Sequence, residues 1–143
     1  MKKLYLYLTY AGALPFIICA VCLAFDITSL PLLGATKQIL SVYALIIATF
    51  IAGNHWGQHL YMKNKWQYYL PISSNVIVVT LWFGFLILPF KPLLAVFVVA
   101  FLVLLVIDQR LFRHNLITRR YFQMRCFATA IVVFTLIISG IVV

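Results

Sequence analysis

Acidic side chains are almost missing from this sequence: its 143 residues include two, Asp26 and Asp108, and no glutamate. Asp26 falls outside the apolar stretches and Asp108 at the end of one, so paired-carboxylate hydrolysis is excluded and a metalloenzyme would have few general bases. Charge of either sign is scarce, at 9% of residues against 66% hydrophobic, and the mean hydropathy is +1.12. Such values lie far outside soluble globular composition, so the chain reads as an integral membrane protein. Cysteine is also sparse. Cys19 and Cys22 lie three apart in an apolar half, far along the chain from Cys126, and read as small packing residues, not a redox pair.

What is present is apolar length. Runs at about 4–25, 39–62, 70–88, 92–111 and 121–143 each approach or exceed the roughly 20 residues that cross about 30 Å of hydrocarbon. The connections are short and leave no soluble domain, which predicts one all-α domain over 1–143, a five-helix transmembrane bundle. The 11 Lys and Arg residues are distributed unevenly. Lys2, Lys3, Lys63, Lys65, Arg110, Arg113, Arg119, Arg120 and Arg125 fall on one side, and only Lys37 and Lys91 on the other. Positive charge stays cytoplasmic during insertion, which predicts a cytoplasmic N-terminus and a periplasmic C-terminus. The formal charge of +9 then needs no nucleic acid to explain it, because anionic headgroups already face that surface. Lys2 and Lys3 precede a stretch too long for a secretory signal and lacking a small-x-small site, so it reads as a retained span. Neither a lipobox around Cys19 or Cys22 nor an Arg-rich presequence is present, which favours a bacterial inner membrane over an organelle.

The second run carries the polar side chains: Asn54, His55, Gln58 and His59 sit among Gly53, Trp56 and Gly57. At about 100° per residue, Ser41, Ala44, Ala48, Ala52, His55 and His59 share an arc of roughly 80°. Small residues permit close helix approach and imidazoles facing lipid would lack partners, so this face is expected to point into the bundle. Gly53 and Gly57 form a GxxxG pair roughly 160° away, expected to make a second close helix contact within the protomer or across a homodimer.

Asp108 ends the fourth run and Arg125 lies a turn inside Arg119 and Arg120, on runs that short loops make antiparallel neighbours. They are expected to pair, since a central Asp or Arg costs about 2.5–3.5 kcal/mol on insertion scales. His55, His59, Asp108 and Arg125, with Asn54 and Gln58, should thus lie at similar depth. Three readings stay open for this cluster: a network that fixes bundle register, a pocket for an anionic lipid headgroup or a quinone, and proton, metal or haem chemistry. His55 and His59 at i and i+4 with Asp108 make a weak two-histidine, one-carboxylate metal set. The pocket reading expects both histidines, with Trp56 beside them, to border a cavity opening at the cytoplasmic leaflet.

Several segments carry a resemblance. They are AGALPF at Ala11–Phe16, YALIIATFIAGNHWG at Tyr43–Gly57, the Pro71-Ile72-Ser73 entry to the third run, Asp108, and YFQMRCFAT at Tyr121–Thr129. The most specific pieces are His55-Trp56-Gly57 and the spacing Tyr121-x-x-x-Arg125-x-x-x-Thr129. Together they resemble the domain of unknown function 3429 family of transmembrane protein 69-like small membrane proteins. That resemblance implies a fold and a choice of residues, including Tyr121, but no activity, cofactor or partner. The function expected is a non-enzymatic accessory or binding protein of the inner membrane, holding a lipid headgroup or quinone or docking to a larger complex. The alternative is a redox or proton-coupled component that uses His55 and His59.

Overall fold

Proline and polar caps set the ends of the helices. The computed structural model describes residues 4–143, the side chains of residues 5 and 6 aside; Lys2 and Lys3 lie outside the described residues. In chain order the elements are α1 (Leu4–Ala24), β1 (Ser29–Leu30), β2 (Gly34–Ala35), α2 (Thr36–Gln58), a 3-10 turn (His59–Tyr61), α3 (Trp66–Ile87), α4 (Phe90–Arg113) and α5 (Arg119–Val142). All five helices are long and apolar enough to cross a membrane. The loop expected between the first two runs contains a small antiparallel ribbon, with Ser29 opposite Ala35 and Leu30 opposite Gly34. Gly34 has φ +98°, a conformation open to glycine at little cost.

α1 and α4 end in the same way. The amide of Ile27 donates to Cys22 and that of Asp26 to Leu23, with Asp26 at φ 59°. At the end of α4, Leu116 donates to Leu111 and Asn115 to Phe112, with Asn115 at φ 59°. Both are Schellman closures, in which a left-handed residue turns the chain back and satisfies the last carbonyls. One of the two acidic residues of the chain is thus spent on a helix end. α5 begins at Thr118, whose hydroxyl accepts the amide of Tyr121 at 3.2 Å.

Four helices begin earlier than the apolar runs, and in two of them a proline falls inside the helix. α3 begins at Trp66, where the Asn64 side chain accepts the first amide at 3.1 Å, so Pro71 lies inside it. Pro71 removes one ladder bond, to Gln67, which the rest of the helix tolerates. α4 begins at Phe90, and Pro92 falls in its first turn, where its amide would have had no partner. Pro89 caps that turn, giving the tight hairpin expected between the third and fourth spans.

The small-residue face of α2 is the seam of the bundle. Ser41, Ala44, Ala48, Ala52 and His55 are all buried on it. Ser74 of α3 donates to the Ala52 carbonyl at 2.6 Å, and Tyr43 of α2 donates to the Gly12 carbonyl of α1 at 2.8 Å. That second bond falls where Pro15 interrupts the α1 ladder and crowds its carbonyls. Phe16 packs edge-on against Tyr43 and Phe101, with Phe97, Leu81 and Leu136 completing the core. α1 lies along α5, α2 along α3, and α4 touches α2, α3 and α5. α2 and α5 face one another across a cavity instead of packing closely.

Because Ala48 has no exposed surface, Ala48→Leu is expected to overpack the seam and destabilise the bundle by about 1–3 kcal/mol. Ala95→Leu, on an exposed face of α4, should stay within about 0.5 kcal/mol of the parent. Thermal unfolding in detergent compares them, and equal effects would mean that α2 is not the seam.

Candidate binding site

A carboxylate inside a membrane bundle needs donors on both oxygens, and the fold delivers them from two helices. Asp108, on the buried face of α4 and without exposed surface, accepts from His55 of α2 at 2.9 Å on Oδ1. It accepts from Nε of Arg125 on α5 at 2.9 Å on Oδ2. The expected ion pair is therefore present, and His55 extends it into a three-helix bridge. A carboxylate oxygen only accepts, so Nε2 is the His55 nitrogen that carries the proton toward Asp108. A second tie joins α2 to α5, where the Asn54 amide donates to the Tyr121 hydroxyl at 2.9 Å.

Beside this bridge lies a cavity of about 970 Å³ between α1, α2 and α5, with Phe101 of α4 at its inner wall. That volume is at the upper end of the roughly 300–1,000 Å³ usual for small-molecule pockets. Gln58, Asn54, Arg120, Tyr121, Arg125 and Thr129, with Thr9 and Thr118, supply its polar lining, and Phe16, Ile47, Phe50, Ile51, Ala128 and Val132 much of the apolar remainder. Among the described residues, three that line the cavity carry a side-chain atom buried without a protein hydrogen-bond partner: Arg125 Nη2, Thr129 Oγ1 and Gln58 Oε1. His55 Nδ1, behind the cavity wall, is a fourth such atom.

Residues 1–141 match the family described as protein of unknown function (DUF3429). The chain belongs to that family. No curated protein and no solved structure matches it.

In this DUF3429 protein several expected site residues are brought together, and others point elsewhere. His55, Asp108 and Arg125 form the buried cluster, while Asn54, Gln58, Tyr121 and Arg125 reach the cavity. His59 does not join them. α2 passes into the 3-10 turn at His59, whose ring Nδ1 turns back onto the Trp56 carbonyl and whose ring meets the Trp56 indole edge-on. The expected set of His55, His59 and Asp108 around one metal is corrected accordingly, and the described residues hold no group of three such ligands. The expectation that both histidines and Trp56 border the cavity is corrected as well. His55 is sealed behind Asp108, and Trp56 faces outward with 45% of its surface exposed. Gly53 and Gly57 also face away from neighbouring helices, with no atom within 4 Å of where a Cβ would stand, so the GxxxG contact is not made within the protomer.

Thr129 and the α1 wall were not among the expected site residues. Thr129 had a legible signal: Tyr121, Arg125 and Thr129 recur at i, i+4 and i+8, which puts them on one helical face.

Removing one member of a buried ion pair leaves an uncompensated charge. Asp108→Ala is expected to destabilise the bundle by about 3–5 kcal/mol, since it strips the partner from both Arg125 and His55. Arg125→Ala should be milder, because His55 still donates to Asp108. The double variant Asp108→Leu, Arg125→Met should recover part of the loss, as apolar replacement of a whole pair often does. Denaturation in detergent ranks the three, and a parent-like Asp108→Ala would show that the bridge carries no stability.

Proposed function

We propose that this protein is a non-enzymatic membrane binding protein that holds an amphiphile in the cavity between α1, α2 and α5. The observation that carries the reading is the pair of buried, unpartnered polar atoms on two residues that line the cavity, Arg125 Nη2 and Thr129 Oγ1. A buried donor without a partner costs about 1–3 kcal/mol, and more for a charged group, so a ligand that satisfies it binds with that penalty removed. The remaining wall is apolar and suits a hydrocarbon tail. An amphiphile meets both demands, and the lipid bilayer is its source.

Arg120 is an exposed residue of the cavity lining, at the end of the bundle that also carries Lys63, Lys65, Arg110, Arg113 and Arg119. The positive-inside rule supports a cytoplasmic position for this end in a bacterial inner membrane. Gly53 and Gly57, facing outward, leave a surface for a homodimer or a larger membrane complex.

Native mass spectrometry of protein purified in mild detergent is expected to retain about one lipid or quinone per chain. Ala128→Phe, which fills the cavity from α5, should lose it while keeping its helical content. The same protein with a lone cysteine at Lys65 should react with an impermeant maleimide only from the cytoplasmic side. Retention unchanged in Ala128→Phe, or no retained amphiphile in the parent, would overturn the binding reading.

A further inference from the structure

Resting on that reading, we infer that the head of the bound amphiphile is an oxyacid, a carboxylate or a phosphate, held by Arg125 and Thr129. The first ground is charge. No acidic side chain lines the cavity, whereas Arg120 and Arg125 both do. Asp108 lies behind the wall with both carboxylate oxygens already taken, by His55 and by Arg125 Nε, so it offers nothing to an incoming cation or donor. Asp108 offsets the charge of Arg125, while Arg120 is left to attract a negative headgroup.

The second ground is the kind of hydrogen bond the cavity requires. A guanidinium only donates, so the unpartnered Nη2 calls for an acceptor. Thr129, one turn deeper on the same face of α5, has a hydroxyl that also donates. Gln58 at the end of α2 also lines the cavity, and its amide presents either its oxygen or its NH₂, since the two are exchanged by a simple flip. An oxyacid offers two or three oxygens to these groups, and charge-assisted bonds are about twice as strong as neutral ones. A neutral carbonyl offers one acceptor and leaves the Arg120 field unanswered. Beyond Thr129 the cavity continues between Phe16, Ile47, Phe101 and Val132, which receive the tail.

The test uses delipidated full-length protein in dodecyl maltoside and four probes: hexadecanoic acid, its methyl ester, a two-chain phosphatidic acid, and a prenylated benzoquinone. Affinities are read by native mass spectrometry and checked by thermal shift. At least one of the two acids should bind about tenfold or more tightly than the ester and the quinone, and which acid wins separates a free fatty acid from a phospholipid source. Thr129→Val removes the hydroxyl at nearly constant volume and should weaken the acid severalfold with the unliganded melting temperature unchanged or raised, since its hydroxyl has no protein partner to lose. Arg120→Gln should weaken the acids and flatten their salt dependence. Equal binding of ester and acid, or tighter binding of the quinone, would overturn the oxyacid head while leaving an amphiphile-binding protein. Binding of none of the four would sink both.

Discussion

One carboxylate, Asp108, fixes how the helices of this protein stand. It has no exposed surface, and each of its oxygens is held at 2.9 Å by a donor from a different helix, His55 of α2 and Arg125 of α5. In hydrocarbon, an ionised carboxylate without such partners would be strongly unfavourable, so sequences that keep Asp108 must keep both neighbours in reach. The register of three helices follows from that single demand.

The cavity is a consequence of the same arrangement. α2 spends its small-residue face on α3, α1 and α4, with Ala44, Ala48 and Ala52 fully buried, while α5 packs on α1 and α4. The two helices are therefore joined through Asp108 of α4 and by the direct bond from Asn54 to Tyr121. The space between them is walled by Ile47, Phe50 and Ile51 of α2 and by Tyr121, Met124 and Ala128 of α5. Arg125 belongs to both features: Nε is committed to Asp108, and the residue also lines the cavity, its Nη2 buried without a partner. A residue anchored on one edge and unsatisfied on the other is pre-organised for a ligand, since holding it in place requires no further ordering on binding.

Much of the fold could be read from the chain because hydrophobic length and helical period survive in a membrane protein almost undisturbed. Ser41, Ala44, Ala48, Ala52 and His55 shared an arc and share a buried face. Asp108 and Arg125 were paired because each was too costly to leave alone. The same arc carried His59 with it, and failed there, because the α-helical period stops at Gln58 and the 3-10 turn lets that ring close on its own backbone. GxxxG spacing shows that a helix can be approached closely, and does not show what approaches it, so of the two contacts expected for Gly53 and Gly57 the one within the protomer is not made. Asp26 read only as a residue outside the apolar stretches, although its left-handed turn ends α1. Thr129 was visible in the spacing from Tyr121 and Arg125, yet a lone hydroxyl on an apolar helix carries little signal until the cavity beside it is seen.

The central claim is that Asp108 holds α2 and α5 at a fixed separation across the cavity. Spin labels at Leu60 and Gln123, both exposed near the basic end, measure that separation by double electron–electron resonance once Cys19, Cys22 and Cys126 are replaced. A single narrow distance in the otherwise unaltered chain, broadened or shifted in Asp108→Asn, is the result this account predicts. The same narrow distance in both would contradict it.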